Sequence, residues 1–236
     1  MTSHEKLVLG IDEAGRGPII GPMYVCGVVV DEKTLDKLKL IGVTDSKQLD
    51  KNQREKLFRA IMGLAKHVLA VEIPPQLIDS VNLNVLERDT IAIIVARAAS
   101  IWGEKLAAVY VDVVGTSSKL VSVIRKTGFK GVIVAEPKAD SKYVVVGAAS
   151  IVAKVFRDRT IEELRRLYGV EGSGYPTDQR TLNWIKKAYA ASPFNPPSFI
   201  RRTWGILRRI APNWYVEKKA GRKNSGQRSL FDYLSS

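Results

Sequence analysis

The order of apolar runs in this chain predicts an α/β fold with a central, covered sheet. Short runs rich in Val, Ile and Leu alternate with segments whose apolar residues recur every three or four positions. Acidic residues stand within or just after several of the strand-like runs, where strand propensity disfavours them.

Residues 7–11 (LVLGI) and 24–30 (YVCGVVV) read as consecutive strands separated by a Gly/Pro-rich loop. The segment 51–66 follows with Leu57, Ile61 and Leu64 at helical spacing, and 68–73 (VLAVEI) reads as a third strand. Ile91, Ile94, Ala98 and Ile101 define the next helix, and 107–112 (AAVYVD) and 131–136 (GVIVAE) two more strands. Ala148, Ile151, Val152 and Val155 mark a long helix after Asp140 that continues through TIEELRRLYG. Three prolines in SPFNPPSF then break regular structure. The expected organisation is a catalytic-size domain over 1–192, a basic helical extension over 193–220 carrying Trp204, Trp214 and Tyr215, and a flexible tail over 221–236.

Composition narrows the function. The chain carries 37 Lys and Arg against 24 Asp and Glu, a net charge of +13, which favours a polyanionic partner through steering and counterion release. Its single cysteine, Cys26, lies in an apolar run and reads as a small buried hydrophobe, so a disulfide framework and a thiolate zinc site are excluded. The two histidines, His4 and His67, lack metal-ligand spacing. No signal-peptide core and no apolar run near the ~18 residues of a membrane span are present, which predicts a cytoplasmic protein without membrane association.

The acids carry the chemistry. Asp12 and Glu13 follow the first strand directly. Successive strand side chains point to opposite faces, but the end of a strand beside glycines relaxes that rule. Asp112 interrupts an apolar strand, where an unpaired buried carboxylate is costly. Asp140 precedes the long helix and reads equally well as its cap. Clustered carboxylates resist joint ionisation unless cations neutralise them, and an oxygen-only donor set suits Mg²⁺ or Mn²⁺ rather than zinc. The residues alone thus point to a metal-dependent nuclease or phosphotransferase.

GIDEAGRGPIIGP, VTDSKQL, the strand aspartate of VYVDVVG, ADSKYVVVGAASIVAKVFRDR and GSGYPTD resemble, in this order, the motifs of ribonuclease HII of the archaeal type, over about residues 7–180. The resemblance implies a ribonuclease H-like fold with a mixed five-stranded central sheet flanked by helices and a C-terminal helical extension. It implies that Asp12, Glu13, Asp112 and Asp140 are the catalytic acids and hold two Mg²⁺ or Mn²⁺ ions. The implied reaction is endonucleolytic hydrolysis of RNA in RNA–DNA hybrids and of single ribonucleotides in duplex DNA. The cut falls 5′ of the ribonucleotide and leaves a 3′-hydroxyl and a 5′-phosphate. The resemblance further implies that Gly15, Arg16 and Gly17 read the ribose 2′-hydroxyl and that Tyr175 packs on the nucleotide. It also makes Lys47 a phosphate contact and offers Asn84 as another. Two alternatives stay open: another metal-dependent nuclease of this fold, of transposase or junction-resolvase type, and a non-catalytic nucleic-acid-binding protein. A monomer is expected.

The tail sequence QRSLFDYL resembles the peptide that docks on the DNA sliding clamp, with Gln227, Leu230, Tyr233 and Leu234 at the anchoring positions. Leu230 and Tyr233 would share one side of a helical turn and plug an apolar pocket. A tail folded back on its own domain is the alternative.

Overall fold

The computed structural model describes residues 6–43, 49–113 and 117–218. The chain opens with strands β1 (Leu7–Ala14) and β2 (Met23–Asp31), then helices α1 (Glu32–Leu40) and α2 (Lys51–Leu64) and strand β3 (His67–Ile73). Helices α3 (Pro75–Ser80) and α4 (Leu83–Trp102) lead to strand β4 (Leu106–Asp112), helix α5 (Ser118–Lys126) and strand β5 (Val132–Glu136). Helices α6 (Ala139–Lys142), α7 (Val144–Tyr168), α8 (Gln179–Ala191) and α9 (Leu207–Ile210) complete the order. All five expected strands form. Helix α1 was not anticipated, because it buries only Thr34 and Leu38 and so carries little apolar periodicity. It is started by Asp31, whose carboxylate accepts the Thr34 N–H at 2.7 Å.

The strands form one mixed five-stranded sheet in the order β3-β2-β1-β4-β5. β1 runs antiparallel to β2 and parallel to β4, and β4 runs parallel to β5. Leu7, Leu9 and Ile11 of the central β1 are fully buried on one face, and Gly10 and Asp12 are buried on the other, so both faces of the strand are covered there. Residue 10 is glycine because a Cβ there would collide with the Val145 backbone at the start of α7. That close approach seats the first turns of α7 directly on β1, beside Asp12.

The chain divides into two compact units. The first comprises Met1–Ala14, Tyr24–Val71 and Glu87–Val155; the second comprises Gly15–Met23, Glu72–Leu86 and the chain from Phe156 on. Within the second unit, Phe199, Ile200 and Trp214 share one apolar cluster with Ile19, Trp184 and Ile185. The Trp214 indole N–H donates to the Ser192 carbonyl at 3.0 Å. The segment expected as a helical extension is mostly irregular, with only α9 and a 3₁₀ turn at Pro212–Trp214 among its described residues. Prolines and large aromatics that pack one by one, rather than a helical stripe, explain the difference. Among the described residues no helix is long and apolar enough to cross a membrane.

Candidate active site

β1 does not stop before its acids. Pairing with β2 continues to Ala14 opposite Tyr24, so Asp12 and Glu13 both lie inside a regular strand. Their side chains therefore leave on opposite faces. Parallel pairing sets Ile11 beside Val111, which brings the next residues, Asp12 and Asp112, to the same end of neighbouring strands. Asp140 arrives on α6, just after β5, whose last residue Glu136 is in register with Asp112. Lys138, in the left-handed region at φ 60°, turns the chain into α6. The Ala139 N–H then donates to the Asp112 carboxylate at 3.1 Å.

One carboxylate oxygen from each of Asp12, Asp112 and Asp140 lies within 4.8 Å of the other two. Glu13 is not in that group. It stays beside it, its backbone N–H donating to the Asp12 carboxylate at 2.8 Å. The interruption of an apolar strand by Asp112, suspicious in the sequence, is thus matched by two partner acids, and Asp140 does more than begin a helix.

The arrangement is electrostatically costly. Burial pushes the Asp12 carboxyl well above its ordinary value, with the charges of Glu13 and Asp112 adding to it; the buried Ser150 hydroxyl and the Glu13 N–H act in the opposite sense. Burial also raises Asp112, with the Asp140 charge in the same direction, against the backbone N–H groups of Ala139, Lys138 and Val113. Cys26, facing Asp12 across the β1–β2 pair, is raised by burial and then by that carboxylate, which keeps it an inert thiol. Three carboxylates in bonding reach of a common point, without nitrogen or sulfur donors, fit a hard divalent cation.

The second unit holds the glycine loop. Gly15 has φ +87°, and a Cβ there would lie 2.8 Å from the Pro22 carbonyl, so only glycine fits. Gly17 lies against the Tyr175 ring: a Cβ would stand 3.3 Å from Cε1. The Arg16 guanidinium donates to the Asn84 side-chain oxygen. The neighbouring Asn82 accepts the Asn84 N–H at 2.9 Å, in the manner of a helix cap, so in this structure Asn84 serves Arg16 rather than starting α4. Tyr175 is 38% exposed and lies under the Arg157 guanidinium, 5.1 Å from the ring centroid. Arg157 also donates to the Ser173 carbonyl. Asp178 accepts the N–H groups of Ser173 at 2.7 Å and Arg180 at 2.9 Å, and these bonds, the Ser173 N–H first, lower its carboxyl to about 2.

Arg157, Arg201 and Trp204 are parts of this loop system that the sequence reading left without a role. Arg157 stands in a quoted motif, but nothing in IRRTW marks Arg201 as a fully buried arginine. Lys47 and the tail residues Gln227, Leu230, Tyr233 and Leu234 lie outside the described residues.

Comparison with known proteins bears on this site. The family model for ribonuclease HII matches residues 9–206. A ribonuclease HII from Hyperthermus butylicus is 54% identical over 97% of this chain and 95% of its own. The crystal structure of ribonuclease H2 from Pyrococcus horikoshii superposes with a TM-score of 0.80 at 39% identity, covering 92% of this chain and 100% of that one. The ribonuclease HII in a PCNA complex from Archaeoglobus fulgidus superposes with a TM-score of 0.75 at 35% identity, over 86% of this chain and 96% of that one.

Proposed function

Because the chain belongs to the ribonuclease HII family, we propose that Asp12, Asp112 and Asp140, with Glu13 beside them, are its catalytic acids. It has the ribonuclease H-like fold and is a metal-dependent endoribonuclease, a phosphodiester hydrolase acting on RNA in RNA–DNA duplexes. The observation that supports the catalytic assignment is the convergence of three carboxylates from β1, β4 and α6 within 4.8 Å. A divalent ion held there, Mg²⁺ or Mn²⁺, supplies Lewis-acid stabilisation of phosphate oxygens and a more acidic water. The chain's own part is to hold its carboxylates at one end of the adjacent inner strands β1 and β4, with Asp12 and Asp140 buried. There, burial and mutual repulsion raise the Asp12 and Asp112 carboxyls, a cost that a bound cation would relieve.

The Gly15-Arg16-Gly17 loop follows Asp12 by three residues in the chain, and we assign it the reading of the ribose 2′-hydroxyl. Glycine at 15 and 17 lets backbone approach the sugar, and Tyr175, packed against Gly17, offers an exposed ring for stacking. The net charge of +13 supports non-specific duplex attraction.

The test is a duplex carrying one embedded ribonucleotide, incubated with and without Mg²⁺ or Mn²⁺ beside the matching all-DNA duplex. Metal-dependent cleavage 5′ of the ribonucleotide, leaving 3′-hydroxyl and 5′-phosphate, is the expected result. Equal cleavage of both duplexes would overturn the assignment.

A second reading concerns the tail. A relative of 35% identity has been solved as a PCNA complex, and QRSLFDYL has the form of a clamp-docking peptide. Deleting 227–236 is expected to weaken binding to the cognate sliding clamp at least ~10-fold while cleavage of short duplexes stays within ~2-fold. Unchanged clamp affinity would reject this reading.

A further inference from the structure

The Gly15-Arg16-Gly17 carbonyls are captured one after another by a distant segment. Arg201 donates from Nη2 to the Gly15 carbonyl at 2.5 Å, from Nη1 to the Arg16 carbonyl at 2.9 Å, and from Nε to the Gly21 carbonyl at 2.8 Å. The Trp204 indole N–H takes the Gly17 carbonyl at 3.0 Å. The Arg201 guanidinium lies 5.0 Å from the Trp204 ring, so each donor locates the other. The segment is itself fastened. The Arg201 N–H donates to the Ile19 carbonyl at 2.9 Å. Asp79 accepts the N–H groups of Arg202 at 2.8 Å and Thr203 at 3.0 Å, and the Thr203 hydroxyl at 2.7 Å.

This is an expensive way to hold a loop. Arg201 is fully buried, and its hydrogen-bond partners here are neutral carbonyls rather than a carboxylate. Burial pulls its guanidinium below the usual arginine value; the Asp79 charge opposes this, and Arg157 adds to it. The planar fork spreads its donors over three separated nitrogens, each on its own carbonyl, whereas a lysine carries its three N–H groups on a single nitrogen at one point.

The geometry has a direct consequence for the opposite side of the loop. No cis peptide occurs among the described residues, and in a trans peptide the C=O and the following N–H point in opposite directions. With the Gly15 and Arg16 carbonyls turned to Arg201, the N–H groups of Arg16 and Gly17 are turned away from it. Pro18 follows, with no N–H to extend the row. We infer that Arg201 and Trp204 are positioning residues that preset the Arg16 and Gly17 amides as a fixed donor pair for the target ribose, making the IRRTW segment a specificity element of the enzyme. The inference rests on the reading of this loop as the 2′-hydroxyl sensor. A preset pair loses no ordering entropy on binding, and a loosened one loses discrimination before it loses duplex affinity.

The experiment measures the affinity of a duplex with one ribonucleotide and of the matching all-DNA duplex, in an Asp112→Asn background that cannot turn over. Trp204→Phe keeps the ring over the guanidinium and deletes one donor; Arg201→Lys keeps a charge and deletes the fork. Trp204→Phe is expected to shrink the ribo-to-deoxy affinity ratio by ~3–10-fold, with all-DNA affinity and melting temperature nearly unchanged. Arg201→Lys should shrink the ratio further. In the Asp112-containing enzyme, the same variants should lower kcat on the embedded ribonucleotide more than they raise KM. If Arg201→Lys does not fold, Trp204→Phe decides. A wild-type ratio in folded Trp204→Phe overturns the inference alone. A background protein that binds both duplexes equally, with wild type cutting both equally, overturns the sensor reading and this inference with it.

Discussion

The two compact units treat their functional carboxylates in opposite ways. In the first, Asp12 is buried beside Glu13 and Asp112, and its carboxyl is raised. In the second, Asp178 sits under the N–H groups of Ser173 and Arg180, and its carboxyl falls to about 2. The first arrangement is unfavourable until something positive arrives; the second is satisfied as it stands. The contrast separates the site proposed for the chemistry, where carboxylates are crowded and buried, from a site that holds shape, where a carboxylate is satisfied by backbone hydrogen bonds. The loop that Asp178 helps to brace, GSGYPTD, carries Tyr175, so shape is what it supplies.

The sharpest break of that comparison is catalytic. Asp112→Asn removes one charge from the triad and keeps the side-chain volume and an acceptor for the Ala139 N–H. Cleavage of the embedded ribonucleotide is expected to fall by at least ~10³-fold, on the scale of losing several kcal/mol of metal-borne stabilisation. Circular dichroism and melting should match wild type. Activity within 10-fold of wild type would show that the triad is not the reactive centre.

The next expectation is one of sign. Asp12 has its folded value above the unfolded one of ~3.9, so between the two the folded state holds the extra proton. Its contribution to the metal-free protein therefore turns unfavourable as pH rises from ~4 through the raised value. Asp178 is depressed, so its stabilisation is present above ~3.9 and is lost as pH falls toward 2. The same acid-to-amide change should thus act oppositely in the two units. In metal-free buffer at pH 7.5, Asp12→Asn is expected to raise the melting temperature and Asp178→Asn to lower it by roughly 3 °C. Adding Mn²⁺ should stabilise wild type more at pH 7.5 than at pH 5 and should leave Asp12→Asn nearly unmoved. A drop in melting temperature for both variants would erase the distinction drawn between the units.

The difference between the units also decides what was readable in the sequence. Carboxylates in the wrong place are visible as letters: Asp112 violates strand propensity, and Asp12 and Glu13 stand together after an apolar run. What the letters hid was register. The strand was expected to end before its acids, but pairing to Tyr24 carries it past them, and this leaves Glu13 out of the group that Asp12, Asp112 and Asp140 form. Periodicity revealed α4 and α7 through their apolar faces and missed α1, which buries two residues. The Gly15-Arg16-Gly17 loop is singled out by the family resemblance, yet its supports are invisible in the sequence. Arg201 lies 186 positions from Gly15 and looks like any basic residue in a basic segment. Backbone carbonyls leave no mark in a sequence, and neither do the side chains chosen to hold them.

The smallest expected effect tests whether the first unit also depends on backbone shape at one point. Lys138 is exposed and left-handed at φ 60°, immediately before the N–H that serves Asp112. A non-glycine residue there carries ~1 kcal/mol of strain, and a β-branched one more. Glycine relieves the strain but adds freedom to the unfolded chain of comparable size. Lys138→Gly should therefore leave the melting temperature within ~2 °C of wild type, whereas Lys138→Val should lower it by several degrees. If Asp112 is held chiefly by strand register, as its pairing with Glu136 implies, cleavage by Lys138→Gly stays within ~3-fold of wild type. A larger loss with unchanged melting would mean that the turn, and not the strand, aims the carboxylate. The first unit would then share the backbone logic of the second.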